Sequence, residues 1–123
     1  MFSPGDVVLL FKGPANKPKF HLCISLNGYY LYVNSPKARS FPGDVVFPCS
    51  EFAFLDPTPS GLSIVSCNVV LPLSDRDLRA GRAVRKGTVS KAVLRAIVAE
   101  IESSTILPQE QIDQALYGLG DWL

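Results

Sequence analysis

The dipeptide Asn27-Gly28 limits the possible folds of this chain more than any other feature, because it lies between two runs of strand-forming residues. Asn-Gly supplies the positive φ that a two-residue hairpin turn demands, and the flanking runs, Phe20 to Leu26 and Tyr29 to Val33, are apolar, aromatic and β-branched. A β-hairpin is therefore expected here. Its arms pair outward from the turn, which sets Lys19 to His21 opposite Asn34 and Ser35 at the open end.

Other short strands are expected on both sides of this hairpin. Val7 to Phe11 follows the turn Pro4-Gly5-Asp6, and Gly13 to Pro18 holds two prolines and a glycine, so it reads as a loop. A second Pro42-Gly43-Asp44 turn precedes Val45 to Phe47, and Phe52 to Leu55 and Leu62 to Leu71 read as further strands. Strands broken by turns at this spacing point to a small barrel or curled sheet of about five to seven strands.

The pattern changes near Leu73. From Thr88 onward Val89, Val93, Ile97 and Ile101 recur at helical spacing, with Thr88 or Ser90 available as the cap. A shorter helix is expected from Pro108, with Ile112, Ala115, Leu116 and Leu119 as its apolar stripe and Gly118 or Gly120 at its end. The expected fold is mainly β with C-terminal helices, an α+β chain. It forms a single domain, with a β core over residues 1–73 and a helical part over 74–123 containing one long and one short helix.

Net charge, at +1, says nothing about partners, but its distribution does. Between Asp6 and Asp44 there is no acid, whereas Lys12, Lys17, Lys19, Lys37 and Arg39 are all basic. A cationic face built by this stretch would attract polyanions, although scattered surface lysines give the same composition. The basic run Arg76, Arg79, Arg82, Arg85 and Lys86 is interleaved with Asp75 and Asp77 and reads as a solvated connector. Cys23, Cys49 and Cys67 lie far apart and read as small buried residues rather than a disulfide or zinc framework. Met1 to Asp6 lacks the basic segment and long apolar core of a secretory leader, and no apolar run reaches membrane-spanning length, so a cytoplasmic location without membrane contact is expected.

His21 is the only histidine. Alternation along the strand sets Lys19, His21 and Cys23 on one face and Phe20, Leu22 and Ile24 on the other. The apolar set is expected to face the core, and Lys19 and His21 to emerge together beside the loop. There an imidazole would move a proton near neutral pH and an ammonium would hold a phosphate. A surface histidine that happens to neighbour a lysine is the plainer alternative, and one strand does not choose between them. Across the hairpin, Asn34 and Ser35 add an amide and a hydroxyl, Tyr32 offers a ring for stacking a base, and Lys17, Lys37 and Arg39 add charge nearby. Such a set suits phosphodiester cleavage by the RNA 2′-OH, which needs no metal or cofactor. Lys19, His21 and Ser35 are then the candidate catalytic residues, and Asn34, Lys17, Lys37, Arg39 and Tyr32 the candidate substrate contacts. No Gly-rich phosphate loop, nucleophile elbow or metal-ligand cluster occurs in the sequence.

At these residues the chain resembles the MazF/PemK-type toxins. The resemblance lies in the Gly-Asp-Val-Val opening at Gly5 to Val8, the strand end Cys23-Ile24-Ser25, and the strand end Val33-Asn34-Ser35. It extends to Gly-Thr-Val-Ser at Gly87 to Ser90 and to the Ser-x-x-x-Cys strand from Ser63 to Cys67. It implies an SH3-like barrel with helical additions and a metal-independent endoribonuclease acting on single-stranded RNA. A homodimer and a cognate antitoxin that occupies the RNA groove are implied with it. Better-known members carry an arginine followed by proline where this chain has Lys19-Phe20, and a threonine near Asn34-Ser35. Lysine lacks arginine's bidentate fork. A second reading follows from that departure and from the aromatic residues Phe20, Tyr29, Tyr30, Tyr32, Phe41, Phe47, Phe52 and Phe54: a non-catalytic SH3-like module that binds a protein or peptide.

Overall fold

A computed structural model describes residues 2–36 and 41–123, apart from the side chain of Asp121. Six strands form one antiparallel sheet: β1 (Asp6–Leu10), β2 (Lys19–Cys23), β3 (Tyr29–Asn34), β4 (Asp44–Pro48), β5 (Leu62–Pro72) and β6 (Val84–Thr88). Their order across the sheet is β4-β5-β3-β2-β1-β6, so β4 and β6 are the two edges and the sheet is open among the described residues. Four helices complete the fold: α1 (Asp75–Ala80), α2 (Lys91–Glu102), α3 (Gln109–Ala115) and the single turn α4 (Leu119–Trp122).

A hairpin forms at the expected place, but not through a two-residue turn. The Ile24 amide donates to the Tyr29 carbonyl at 3.0 Å, so residues 25–28 form a four-residue loop and the pairing is shifted by two residues from that of an Asn-Gly turn. Gly28 has φ +81°, and β2 pairs with β3 so that His21 faces Tyr32 and Phe20 faces Val33. β5, the longest strand, pairs with β3 on one side and β4 on the other.

Apolar side chains leave the sheet on both faces. On one face Val7, Leu22, Leu31 and Val65 pack with Val93, Leu94, Ile97 and Ile101 of α2 and with Ile112 and Ala115 of α3. Ser90 caps α2, its hydroxyl accepting from the Val93 amide at 3.2 Å. Pro108 precedes α3, and the Tyr29 hydroxyl bonds Gln114 at 2.6 Å, tying the hairpin to that helix. On the other face Val8, Leu10, Cys23 and Tyr30 pack with Leu73, with Leu78 of α1 and with Phe2. The run Val7 to Leu10 is buried on both sides for this reason.

Two expectations for individual segments need correction. Residues 74–86 are not a solvated connector: Ser74 and Asp77 form a reciprocal capping box that starts α1, and β6 then returns to the sheet beside β1. β6 thus lies inside the part expected to be helical. Phe52 to Leu55 is not a strand. Cys49–Phe52 is a 3-10 turn that follows Pro48 directly, and the Leu55 amide closes locally on the Phe52 carbonyl at 2.9 Å. Phe52, 1% exposed, is anchored edge-on to Phe47 and Phe54 instead of pairing along a ladder. Of the cysteines, Cys23 and Cys67 are buried and Cys49 is half-exposed. Among the described residues no helix is long and apolar enough to cross a membrane.

Candidate functional site

A cleft of about 360 Å³ opens at the end of the β2–β3 hairpin, and Lys17, Lys19, Tyr32, Asn34 and Ser35 all line it. Five of the eight residues singled out from the sequence therefore meet at one place. Lys37 and Arg39 lie outside the described residues. His21 is the exception.

The local structure explains the convergence. Asn34 ends β3, and the extended pairing of the hairpin brings Lys19 beside it, where the ammonium donates to Asn34 Oδ1. The amide nitrogen of Asn34 donates in turn to Ser66 Oγ on β5 at 2.7 Å. The amide is thereby held at both ends, and its orientation sets that of the lysine. The Lys19 ammonium also lies 5.7 Å from the centre of the Tyr32 ring, within cation–π range. Tyr32 is half-buried, and that burial raises its phenol pKa. Lys17 and Ser35 are exposed at the rim.

His21 is 0% exposed, which overturns the expectation that it would emerge beside Lys19. Alternation does place the two on one face, but α1 and Phe2 cover that face over Val8, Leu10, Cys23 and Tyr30. The imidazole packs against Tyr32 at 5.1 Å, and its Nδ1 lies 3.0 Å from the Lys19 carbonyl. A carbonyl only accepts, so Nδ1 carries the proton and Nε2 is left as an acceptor. That atom is buried without a hydrogen-bond partner among the described residues. Burial lowers the pKa below the ordinary 6.5; the bond to the Lys19 carbonyl opposes this, and the Lys19 ammonium adds to the lowering. A neutral, walled-in imidazole supports the cleft floor and does not reach a substrate.

Six lining residues were not among the site candidates read from the sequence: Ala15, Phe41, Asp44, Ile64, Ser66 and Asn68. Asp44 was legible only as turn chemistry, and it does perform that task, with the Phe41 amide donating to Oδ2 at 3.0 Å. Ser66 and Asn68 sit two apart on β5, alternating with the core residues Val65 and Cys67, and that alternation was the available signal. Asp44 and Ser66 are direct partners across β4 and β5, and Ser66 pairs with Tyr32 on β3, so one row runs Tyr32, Ser66, Asp44 across the cleft floor.

Lys12 of the basic stretch lies elsewhere, in a second cleft with Leu10, Pro14 and Asp77. Arg76, Arg79, Arg85 and Lys86 are exposed, and Arg82 lies 5.0 Å from the Phe11 ring. Among the described residues no group of three or more His, Cys, Asp or Glu is placed to hold a metal ion. Comparison with family models, with curated proteins and with solved structures returns no match to this chain.

Proposed function

We propose that this protein acts on single-stranded RNA through the hairpin cleft, as a metal-independent endoribonuclease of the toxin type. The observation that carries the reading is the meeting of Lys17 and Lys19 with Asn34, Ser35 and Ser66 in one open cleft. Lys19 would neutralise the scissile phosphate as negative charge builds on it, and Asn34 and Ser35 would orient the 2′-OH and a phosphate oxygen. Attack by the 2′-oxygen breaks the bond to the 5′-oxygen, leaving a 2′,3′-cyclic phosphate and a 5′-hydroxyl. The 2′-OH proton passes to solvent base, because the one imidazole is sealed away. This chemistry is electrostatic and positional, without a dedicated proton carrier. An SH3-like barrel, a homodimer, a cytoplasmic site of action and an antitoxin that covers the cleft belong to the same proposal.

The burial of His21 favours a second reading, a non-catalytic SH3-like module for a protein or peptide. Long RNA incubated with purified protein in chelator separates the two, with product ends mapped and Lys19→Ala run alongside. Cyclic phosphate ends that disappear in the variant support the nuclease. Salt-sensitive binding without cleavage refutes it, and the absence of both leaves the peptide module.

A further inference from the structure

The cleft is charged unequally from one side to the other. Lys17 and Lys19 stand on the β2 side, and the only carboxylate among its described lining residues, Asp44, stands on β4. Register fixes their separation: Asp44 pairs with Ser66, Ser66 with Tyr32, and Tyr32 with His21 on the strand that Lys19 begins. At ~4.8 Å per strand, Asp44 is three strand spacings from β2, or roughly 14 Å between backbones. The Lys19 side chain covers about one of those spacings, since it reaches Asn34 on the adjacent strand β3.

A phosphate is drawn to the lysine end and repelled from the Asp44 end. What lies at the carboxylate must instead donate hydrogen bonds. In a bound nucleotide the phosphate and the Watson–Crick edge of the base are its two extremes, with the ring system between them. The half-buried Tyr32 ring lies beside the lysine end and Phe41, 46% exposed, beside the Asp44 end, two aromatic surfaces in the cleft lining against which a base stacks. A carboxylate presents two parallel acceptors. Guanine is the one standard RNA base with two adjacent donors, N1–H and the N2 amine, on its Watson–Crick edge. Adenine and cytosine offer one amine beside an acceptor, and uracil one N–H between two carbonyls, so each sets a lone pair against the carboxylate.

We infer that the cleft reads guanine: Lys17 and Lys19 take the phosphate, Tyr32 and Phe41 flank the base, and the Asp44 carboxylate accepts from N1–H and the N2 amine. The inference rests on the RNA reading above and names its base preference. The Asp44 oxygen that accepts from the Phe41 amide has further lone pairs, so turn and ligand share the carboxylate.

Titration of the protein with the 5′-monophosphates of guanosine, inosine, adenosine, cytidine and uridine, followed by NMR shifts, tests it. Guanosine monophosphate should bind roughly tenfold or more tightly than the adenosine, cytidine and uridine nucleotides. Inosine monophosphate, which keeps N1–H and lacks the amine, should fall between. Asp44→Asn retains an oxygen for the Phe41 amide but sets a donor against guanine's donors and toward the lone pairs of the other bases. It should therefore weaken guanosine monophosphate and erase the preference while the adenosine and cytidine nucleotides hold or gain affinity. Its thermal melt checks that it folds. Lys19→Ala should weaken all five alike. Binding with no base preference, or equal losses for every nucleotide in Asp44→Asn, overturns the guanine assignment and leaves RNA binding standing. Failure of every nucleotide to bind, or preference for a lysine- or arginine-bearing peptide, overturns both.

Discussion

Replacing His21 by leucine separates a structural imidazole from a chemical one, and the size of the effect follows from its surroundings. At pH 7.5 three contributions compete. Removing the unpartnered Nε2 relieves a desolvation cost of about 1–3 kcal/mol, and losing the Nδ1 bond to the Lys19 carbonyl forfeits about 0.5–1.5 kcal/mol. Fitting leucine against Tyr32 costs up to about 1.5 kcal/mol. The net is close to zero, so the variant folds. Acid breaks the balance. Burial lowers the folded-state pKa below the unfolded 6.5, so below that pH the unfolded chain binds a proton that the native protein refuses. Stability that is present above pH 6.5 is then lost as pH falls, with a slope of up to about 1.4 kcal/mol per pH unit. Between pH 7.5 and 5.5 the natural protein should lose up to about 1.4 kcal/mol more than His21→Leu. Urea unfolding followed by circular dichroism at a series of pH values measures the difference. Parallel pH profiles would refute the buried, neutral imidazole. Loss of RNA cleavage in a fully stable His21→Leu protein would refute its exclusion from the chemistry.

Other substitutions test the rest of the structure. Lys19→Ala should weaken RNA binding and lower the slope of log affinity against log salt by about 0.7, the share of one phosphate contact on a single strand, as read by fluorescence anisotropy. Gly87→Ala would set a Cβ 2.1 Å from Phe54 Cδ1, so the ring must move, and the urea midpoint should fall by the equivalent of about 1–3 kcal/mol. Asp6→Ala strands the Thr88 hydroxyl, which donates at 2.7 Å, and the Ser3 amide, which donates at 2.9 Å. It should cost about 1–3 kcal/mol and speed amide exchange in β6 before the rest of the sheet.

What sequence reasoning reached and what it missed divide along a physical line. The hairpin was legible because strand-forming runs flank Asn27-Gly28, but its register was not: a four-residue loop shifts the pairing by two residues, which sets His21 against Tyr32 and brings Lys19 to Asn34. The apolar repeat from Val89 to Ile101 likewise carries its own periodicity into α2. The burial of His21 was not legible from its strand. Alternation tells which residues share a face, but whether that face meets water depends on α1 and Phe2, which are distant in sequence. A clue lay in the unbroken run Val7 to Leu10, since a strand apolar on every residue is covered on both sides. The arginines of 76–85 hid α1 and β6, although Ser74 and Asp77 stood at capping-box spacing. Asp44 and Ser66 were missed because they come from strands far from the hairpin and join the cleft only through β5.

The pairing of β1 with β6 has a consequence for how the chain is made. β1 is translated about 80 residues before the strand that completes its outer edge, so Asp6 waits for Thr88. At roughly 5–20 residues per second, the ribosome leaves that edge unsatisfied for about 4 to 16 seconds. During this interval the nascent protein exposes a bare, strongly apolar ribbon, Val7 to Leu10, to any neighbouring polypeptide. Newly made copies on one polysome are therefore most prone to tangle before residue 88 emerges, and a chaperone that shields Val7 to Leu10 during that interval would raise the yield of native protein.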